Sequence, residues 1–141
     1  MSIIVTDTGF APDEWPGEFS TLDALAQVKD RSVVGLDLPS DTDPALLKAL
    51  TDGIDMIRID FPSSADGRGF TLAQRLRLLG YQGRLRARGH VLCEQYAMAR
   101  RAGFDEIEIS QDLAERQPWP LWQSRAGWQA HSYQNRLRGT A

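Results

Sequence analysis

The strongest constraint on this chain is an alternation of strand-length and helix-length segments between Ser32 and Ile109. Ser32-Val33-Val34-Gly35-Leu36-Asp37-Leu38 reads as a strand. Asp43 then caps a helix with Pro44 at its first position, where a missing N–H costs nothing; that helix runs to about Leu50 and stops near Gly53. Asp55 to Phe61 is the next strand. Thr71 and Gln74 form a capping box for a helix lined by Leu72, Leu76 and Leu79 and ended by Gly80. Gly83 to Arg88 is a third strand, His90 to Ala102 a third helix stopped by Gly103, and Glu106 to Ile109 a fourth strand. Strict alternation at these lengths implies parallel strands joined by right-handed crossovers. Ahead of this run, Ile3-Ile4-Val5 reads as a short strand and the Pro- and acid-rich stretch 11–19 as a loop. A capping box at Ser20 to Asp23 opens a helix reaching about Val28.

The strands carry a second signal. Strands buried on both faces read as continuous apolar runs. Here Ile57 and Ile59 alternate with Arg58 and Asp60, Ile107 and Ile109 with Glu106 and Glu108, and Leu85 with Arg84 and Arg86. One sheet face is therefore apolar and helix-covered, the other polar, with Arg and Glu of neighbouring strands expected to pair across it. The expected fold is α/β: a mostly parallel sheet of four to five strands built from sequential βα units, half-barrel-like. A flavodoxin-like three-layer sandwich is the alternative. Leu36-Asp37-Leu38-Pro39-Ser40 and Ile59-Asp60-Phe61-Pro62-Ser63 share a strand ending 23 residues apart, which supports the βα count. A single domain over residues 1–141 is expected, with 117–141 an irregular Trp-rich extension, because Pro118-Trp119-Pro120-Leu121-Trp122 breaks the rhythm and 131–138 is polar and basic.

Charge narrows the partners. Residues 1–67 hold 13 Asp/Glu against 4 Lys/Arg, and residues 68–141 hold 6 against 12, for a net charge of −3. Acidic and basic parts of one fold neutralise each other, and a nucleic-acid partner is not expected from a net acidic chain with no recognised motif. Cys93 is the only cysteine, which excludes an intramolecular disulfide and fits a reducing, cytoplasmic setting. The first residues show neither a basic leader nor a long apolar stretch, so no signal peptide and no membrane span are expected.

The loop Ser63-Ser64-Ala65-Asp66-Gly67-Arg68-Gly69 follows a strand and ends at a helix N-terminus, a place suited to an anion or a partner's carboxylate. Gly67 and Gly69 permit close backbone approach and Arg68 offers a planar fork of donors; the competing reading is a tight turn in which Arg68 pairs with a neighbouring acid. Arg86 and Arg88 share one face of the next strand beside Asp60, either extending an anion site with His90 or forming an ion-pair ladder with Arg58, Asp60 and Glu108. Asp37, Asp60 and Glu108 end consecutive strands, but Pro and Ser follow two of them and loop capping is preferred over a metal. Cys93 is expected in the core. No catalytic residue, metal or cofactor is assigned: CxxC, HExxH, GxSxG and GxGxxG are absent, and one cysteine cannot hold an iron–sulfur cluster.

The run Arg58 to Thr71, with Arg75-Leu76-Arg77, Tyr81-Gln82-Gly83, Leu85-Arg86-Ala87, Val91-Leu92-Cys93-Glu94-Gln95 and Arg101 to Asp105, resembles the bacterial family called domain of unknown function 934. The resemblance covers most of residues 30–110. It implies small proteins encoded beside assimilatory sulfite reductase and often labelled probable oxidoreductases. The function this implies is an accessory or docking protein of sulfite reduction without independent catalysis, its partner the sulfite reductase haemoprotein or that enzyme's electron donor. Its expected contacts are Asp60, Ser63, Ser64, Asp66, Gly67, Arg68, Gly69, Arg86 and Arg88, with Trp119, Trp122 and Trp128 in the tail. The alternative is a small enzyme or sensor binding a sulfur oxyanion at Gly67-Arg68-Gly69; a homodimer joined through polar sheet faces is a third arrangement.

Overall fold

The computed structural model describes residues 2–25, 27, 34–50 and 53–129. The expected continuation of the first helix to Val28, the strand start at Ser32 and the tail 131–138 lie outside the described residues. The chain runs β1 (Ser2–Thr6), β2 (Gly9–Pro12), β3 (Glu18–Ser20), α1 (Leu22–Leu25), β4 (Val34–Leu38), a 3-10 helix (Pro44–Leu50) and β5 (Met56–Phe61). It continues through α2 (Arg68–Leu78), β6 (Arg84–Gly89), a short 3-10 helix (Cys93–Gln95) and α3 (Tyr96–Ala102) to β7 (Glu106–Ser110), α4 (Gln111–Arg116) and α5 (Trp119–Ala126).

Among the described residues the sheet has seven strands in the order β2-β1-β7-β6-β5-β4-β3. Strands β3 to β7 are parallel neighbours in chain order, and β1 and β2 add antiparallel at the β7 edge. The α/β class and the parallel run match expectation, and the reversed strand order of a flavodoxin-like sheet is absent from the described strands. The expected four to five strands were too few. Stretch 11–19, read as a loop, contributes to both edge strands, which at four and three residues with a proline in β2 fall below what alternation can signal.

Those two edges force the sheet to curve. Pro12 ends β2 at one edge and Glu18 starts β3 at the other, joined only by residues 13–17. Six strand spacings of about 4.8 Å make about 29 Å in a flat sheet, beyond the roughly 20 Å that such a link can span. The sheet must therefore curl around its polar face, with 13–17 running across the opening.

On the other face Leu36, Leu38, Ile57, Ile59, Phe61, Leu85, Ala87, Ile107 and Ile109 join one core cluster with Leu25, Leu47, Leu72, Leu76, Tyr96, Ala99, Leu113 and Trp122 from the helical segments. Two helix starts differ from expectation. α2 begins at Arg68, not after Thr71: Gly67 is its N-cap without a side-chain bond, and the Asp66 carboxylate before it accepts the Arg68 amide at 3.1 Å. The helix expected from His90 begins at Cys93, because the His90 amide still bonds Phe61 O in register with β5 and Gln95 Oε1 accepts from the Leu92 amide.

Residues 119–126 are helical, not irregular. Pro118 and Pro120 stand at the start of α5, where proline fits, so they open a helix instead of breaking one. Trp122 is wholly buried, donates its indole N–H to Gln117 O at 2.7 Å, and meets Phe10 and Tyr96 edge-on. Trp119 packs on Phe10. Trp128 donates to Asp7 under the Arg100 guanidinium, 4.9 Å from its ring.

Asp7, in the β1–β2 turn, thus ties α3 and residue 128 to the first hairpin, accepting also from the Tyr96 hydroxyl and from Arg100 Nε and Nη2, each at 3.2 Å. Burial alone would raise its carboxyl; the hydrogen bonds of Tyr96, Arg100 and Trp128 outweigh it and hold Asp7 below the ordinary carboxylate range. A depressed folded value stabilises above the unfolded value near about 3.9, and that stability is lost as pH falls through the folded one. In urea titrations Asp7→Asn is expected to cost about 1 kcal/mol at neutral pH, a figure discounted because the carboxylate is 37% exposed. The same variant should flatten the loss of stability below about pH 4; an unchanged acid branch would show that the tie carries no weight.

Candidate functional site

The polar side chains of β4 to β7 turn into the curled interior and pair there. Arg86, at the middle of β6, has no exposed surface, yet each nitrogen of its guanidinium donates to a carboxylate. Nε donates to Glu106 at 2.8 Å, Nη1 to Glu108 at 2.9 Å and Asp13 at 3.1 Å, and Nη2 to Asp13 at 3.0 Å; Nη2 also stands 2.8 Å from Glu106 as an ion pair. Arg58 grips Asp37 with Nε and Nη2 at 2.6 and 2.8 Å, reaches both Glu108 oxygens, and lies 3.6 Å above the Phe19 ring. Arg84 holds Glu106 at one end of the ladder, and Arg88 meets Glu108 at 3.3 Å at the other. Four guanidinium groups face four carboxylates, so the cluster is neutral.

Burial opposes the charge on Arg86, but Asp13, Glu106 and Glu108 outweigh it and raise its pKa further. Asp13 is held below the ordinary carboxylate range against its own burial by Arg86, the Trp15 amide and the charge of Arg58. Of the two readings for Arg86, the fold builds the ion-pair ladder with Arg58 and Glu108, but Asp60, expected in it, takes no part in these pairs, and Asp13, which periodicity did not reveal, joins instead. Asp13 comes from the acidic loop, which carries no strand pattern and reaches Arg86 only because the sheet curls. Asp37 and Glu108 converge on the Arg58 guanidinium, and among the described residues no group of three or more His, Cys, Asp or Glu is placed to hold a metal.

The carboxyl ends of β4, β5, β6 and β7 form the rim above this interior, the side on which βα-built sheets hold ligands. The loop 62–69 stands there. Asp66 accepts from Ser40 Oγ at 2.8 Å and from Arg68 Nε and Nη2 at 3.0 and 2.8 Å, and Arg68 Nη2 also donates to Ser40 at 3.2 Å. Arg68, Ser40 and the Arg68 amide hold the Asp66 carboxyl far below the carboxylate range. Arg68 is nonetheless 60% exposed, and its Nη1 makes none of these bonds. Gln95 Nε2 pins the loop from behind through Ser64 O at 2.8 Å. Gly69 serves packing, not ligand approach: a Cβ there would lie 2.5 Å from the Phe61 ring. Gly89 has φ +118° and a backbone so close to Phe61 O that a Cβ would lie 2.5 Å away, which fixes where β6 leaves the sheet.

Of the remaining expected residues, Asp60 and Arg88 are cross-strand partners on the rim. They line a cleft of about 400 Å³ with Asp37, Arg58 and Leu22. Arg88 is half exposed, whereas Arg86 points away from solvent and is not presented to a partner. Trp122 is likewise a core residue, and Trp119 and Trp128 are half-buried against the hairpin. Cys93 is buried, and burial with the neighbouring Glu94 pushes its thiol up, away from reactivity. A second rim cleft of about 400 Å³ lies beside the loop and includes Ser63, Ser64, His90 and Arg116. The sequence reading missed Arg116, since helix spacing on α4 gives no hint that it faces residues 63 and 90.

A family model described as "Bacterial protein of unknown function (DUF934)" matches residues 35–141. The match therefore includes the Trp-rich segment that the resemblance in 30–110 left out. No curated protein and no solved structure matches the chain. No helix among the described residues is long and apolar enough to cross a membrane.

Removing one member of a buried ion cluster leaves the others uncompensated. Arg86→Met keeps much of the volume but strands Asp13, Glu106 and Glu108, and is expected to cost about 3–5 kcal/mol in chemical denaturation. A loss under about 1 kcal/mol would show that the cluster does not organise the fold.

Proposed function

The chain belongs to the DUF934 family, and from that premise we propose that it is an accessory protein of assimilatory sulfite reduction, docking a partner through the rim loop 62–69 on a half-barrel-like scaffold. The setting rests on the family resemblance, whose members are encoded beside sulfite reductase. The partner on this reading is the sulfite reductase haemoprotein or its electron donor, and the chain performs no redox step alone.

The observation that carries the docking reading is how the loop spends its polar groups. Asp66, Ser40 and two nitrogens of Arg68 bond to one another, and Gln95 holds the Ser64 carbonyl. An exposed loop is thereby rigid before any partner arrives, which lowers the ordering cost of association. What it offers outward is Pro62, Ser63, Ala65, Gly67 and the free Nη1 edge of Arg68. This favours docking over a sulfur oxyanion at the same loop, because Asp66 already neutralises the one cation there.

Affinity co-purification of the tagged protein from its own bacterium grown on sulfate is expected to recover the haemoprotein or its electron donor. Arg68→Ala should reduce that recovery by about tenfold or more while leaving the melting temperature near wild type. Recovery of the tagged protein alone would overturn the reading.

A further inference from the structure

The cleft beside the loop is lined by donors and apolar groups. Its polar lining is Ser63 and Ser64 from the β5 exit, His90 from the β6 exit, and Arg116 and Gln117 at the end of α4. No carboxylate lines it. The adjoining cleft, which shares Pro62 and His90 with it, contains Asp60 and Glu108, and the cleft beyond contains Asp23, Asp37 and Asp60.

The donors are also uncommitted. Arg58, Arg68, Arg77, Arg84, Arg86, Arg88 and Arg100 each pair with an acid. Arg75, Arg101, Arg116 and Arg125 pair with none among the described residues, and of these four it is Arg116 that lines the cleft. The Ser63 and Ser64 hydroxyls and the His90 ring likewise have no hydrogen-bond partner among the described residues. The Gln117 Oε1 accepts from the Cys93 amide at 2.8 Å, which fixes the carboxamide and leaves its NH₂ group free to donate. The backbone beneath these donors is fixed: Ser64 O by Gln95, Ser63 O by the Asp66 amide, and the Leu92 amide by Gln95.

The rest of the lining is apolar, from Pro62, Leu92 and Leu113. The volume of about 400 Å³ lies in the range of sites for small organic ligands and exceeds what a bare inorganic oxyanion fills. A guanidinium, an imidazole, two hydroxyls and a carboxamide suit an oxyanion head, which Arg recognises bidentately. The apolar wall suits a carbon body attached to it.

We propose that this cleft binds a small organic anion, its carboxylate, sulfonate or phosphate head held by Arg116, His90, Ser63 and Ser64 and its apolar body against Pro62, Leu92 and Leu113. The proposal rests on the lining of the cleft and not on the docking reading. It is tested on the chain alone, so either can fail without the other.

Isothermal titration of the full chain with benzoate, benzenesulfonate and phenyl phosphate, and with inorganic phosphate and sulfate as controls, tests it. At least one aryl anion is expected to bind saturably, about tenfold or more tighter than either inorganic ion, and the preferred head identifies the ligand class. Arg116→Ala should weaken that binding by about tenfold or more, and Ser64→Ala in the same direction. Both side chains lie outside the core cluster, so melting temperatures near wild type are expected and any lost affinity reads on the cleft. No saturation by any aryl anion up to about 10 mM would overturn the site. So would affinity unchanged by Arg116→Ala, and equal binding of inorganic and aryl anions would overturn the organic ligand.

Discussion

A guanidinium with no exposed surface is the constraint on which this architecture turns. Arg86 sits at the centre of the middle strand, and burying its charge is costly unless its donors are met. β7 supplies two of the three carboxylates it needs, at cross-strand positions 106 and 108. The third comes from Asp13, which no strand neighbour could provide. The segment 13–17 must therefore cross the polar face, and its short length obliges the sheet to curl until its edges approach. Curvature, burial of the polar face and the placing of β2 and β3 at opposite edges are one solution to one electrostatic requirement.

The interior so formed is neutral and saturated, and this decides where function can reside. A cluster in which Arg58, Arg84, Arg86 and Arg88 meet Asp13, Asp37, Glu106 and Glu108 has little charge left for a ligand. It acts as a rigid floor. Chemistry moves outward to the rim, where the strands end and the connecting loops are held by close glycine contacts with Phe61 and by hydrogen bonds with Gln95. The two rim features are complementary in kind. The loop 62–69 turns its charges on itself and presents a fixed shape, whereas the adjoining cleft keeps its donors open. Ser63 and Ser64 belong to both, so a ligand in the cleft and a partner on the loop would share a wall.

Much of this was legible in the residues. The alternation of Ile with Arg, Asp and Glu on the inner strands states that one face is apolar and the other charged, and that pairing between neighbours follows. The βα rhythm gives sequential parallel strands, and Gly80 and Gly103 end their helices because helix punctuation is local. The reading failed where the physics is not local. Thr71 and Gln74 have the form of a capping box, but Asp66 reaches the helix start first. Pro118 and Pro120 resemble breaks until Trp122 finds a pocket between Phe10 and Tyr96, residues far away in the chain that periodicity could not associate with it.

By itself, then, the sequence determined the α/β class, the parallel order of the inner strands and the polar character of one sheet face, since each follows from side-chain periods of two and 3.6 along short stretches. Only the tertiary structure decided that the sheet curls, that Arg86 is taken up by an ion-pair ladder, that Asp13 closes that ladder, and that Arg116 faces Ser63, Ser64 and His90. These depend on distances between segments tens of residues apart, which are fixed by chain length, curvature and packing, and no local pattern encodes them.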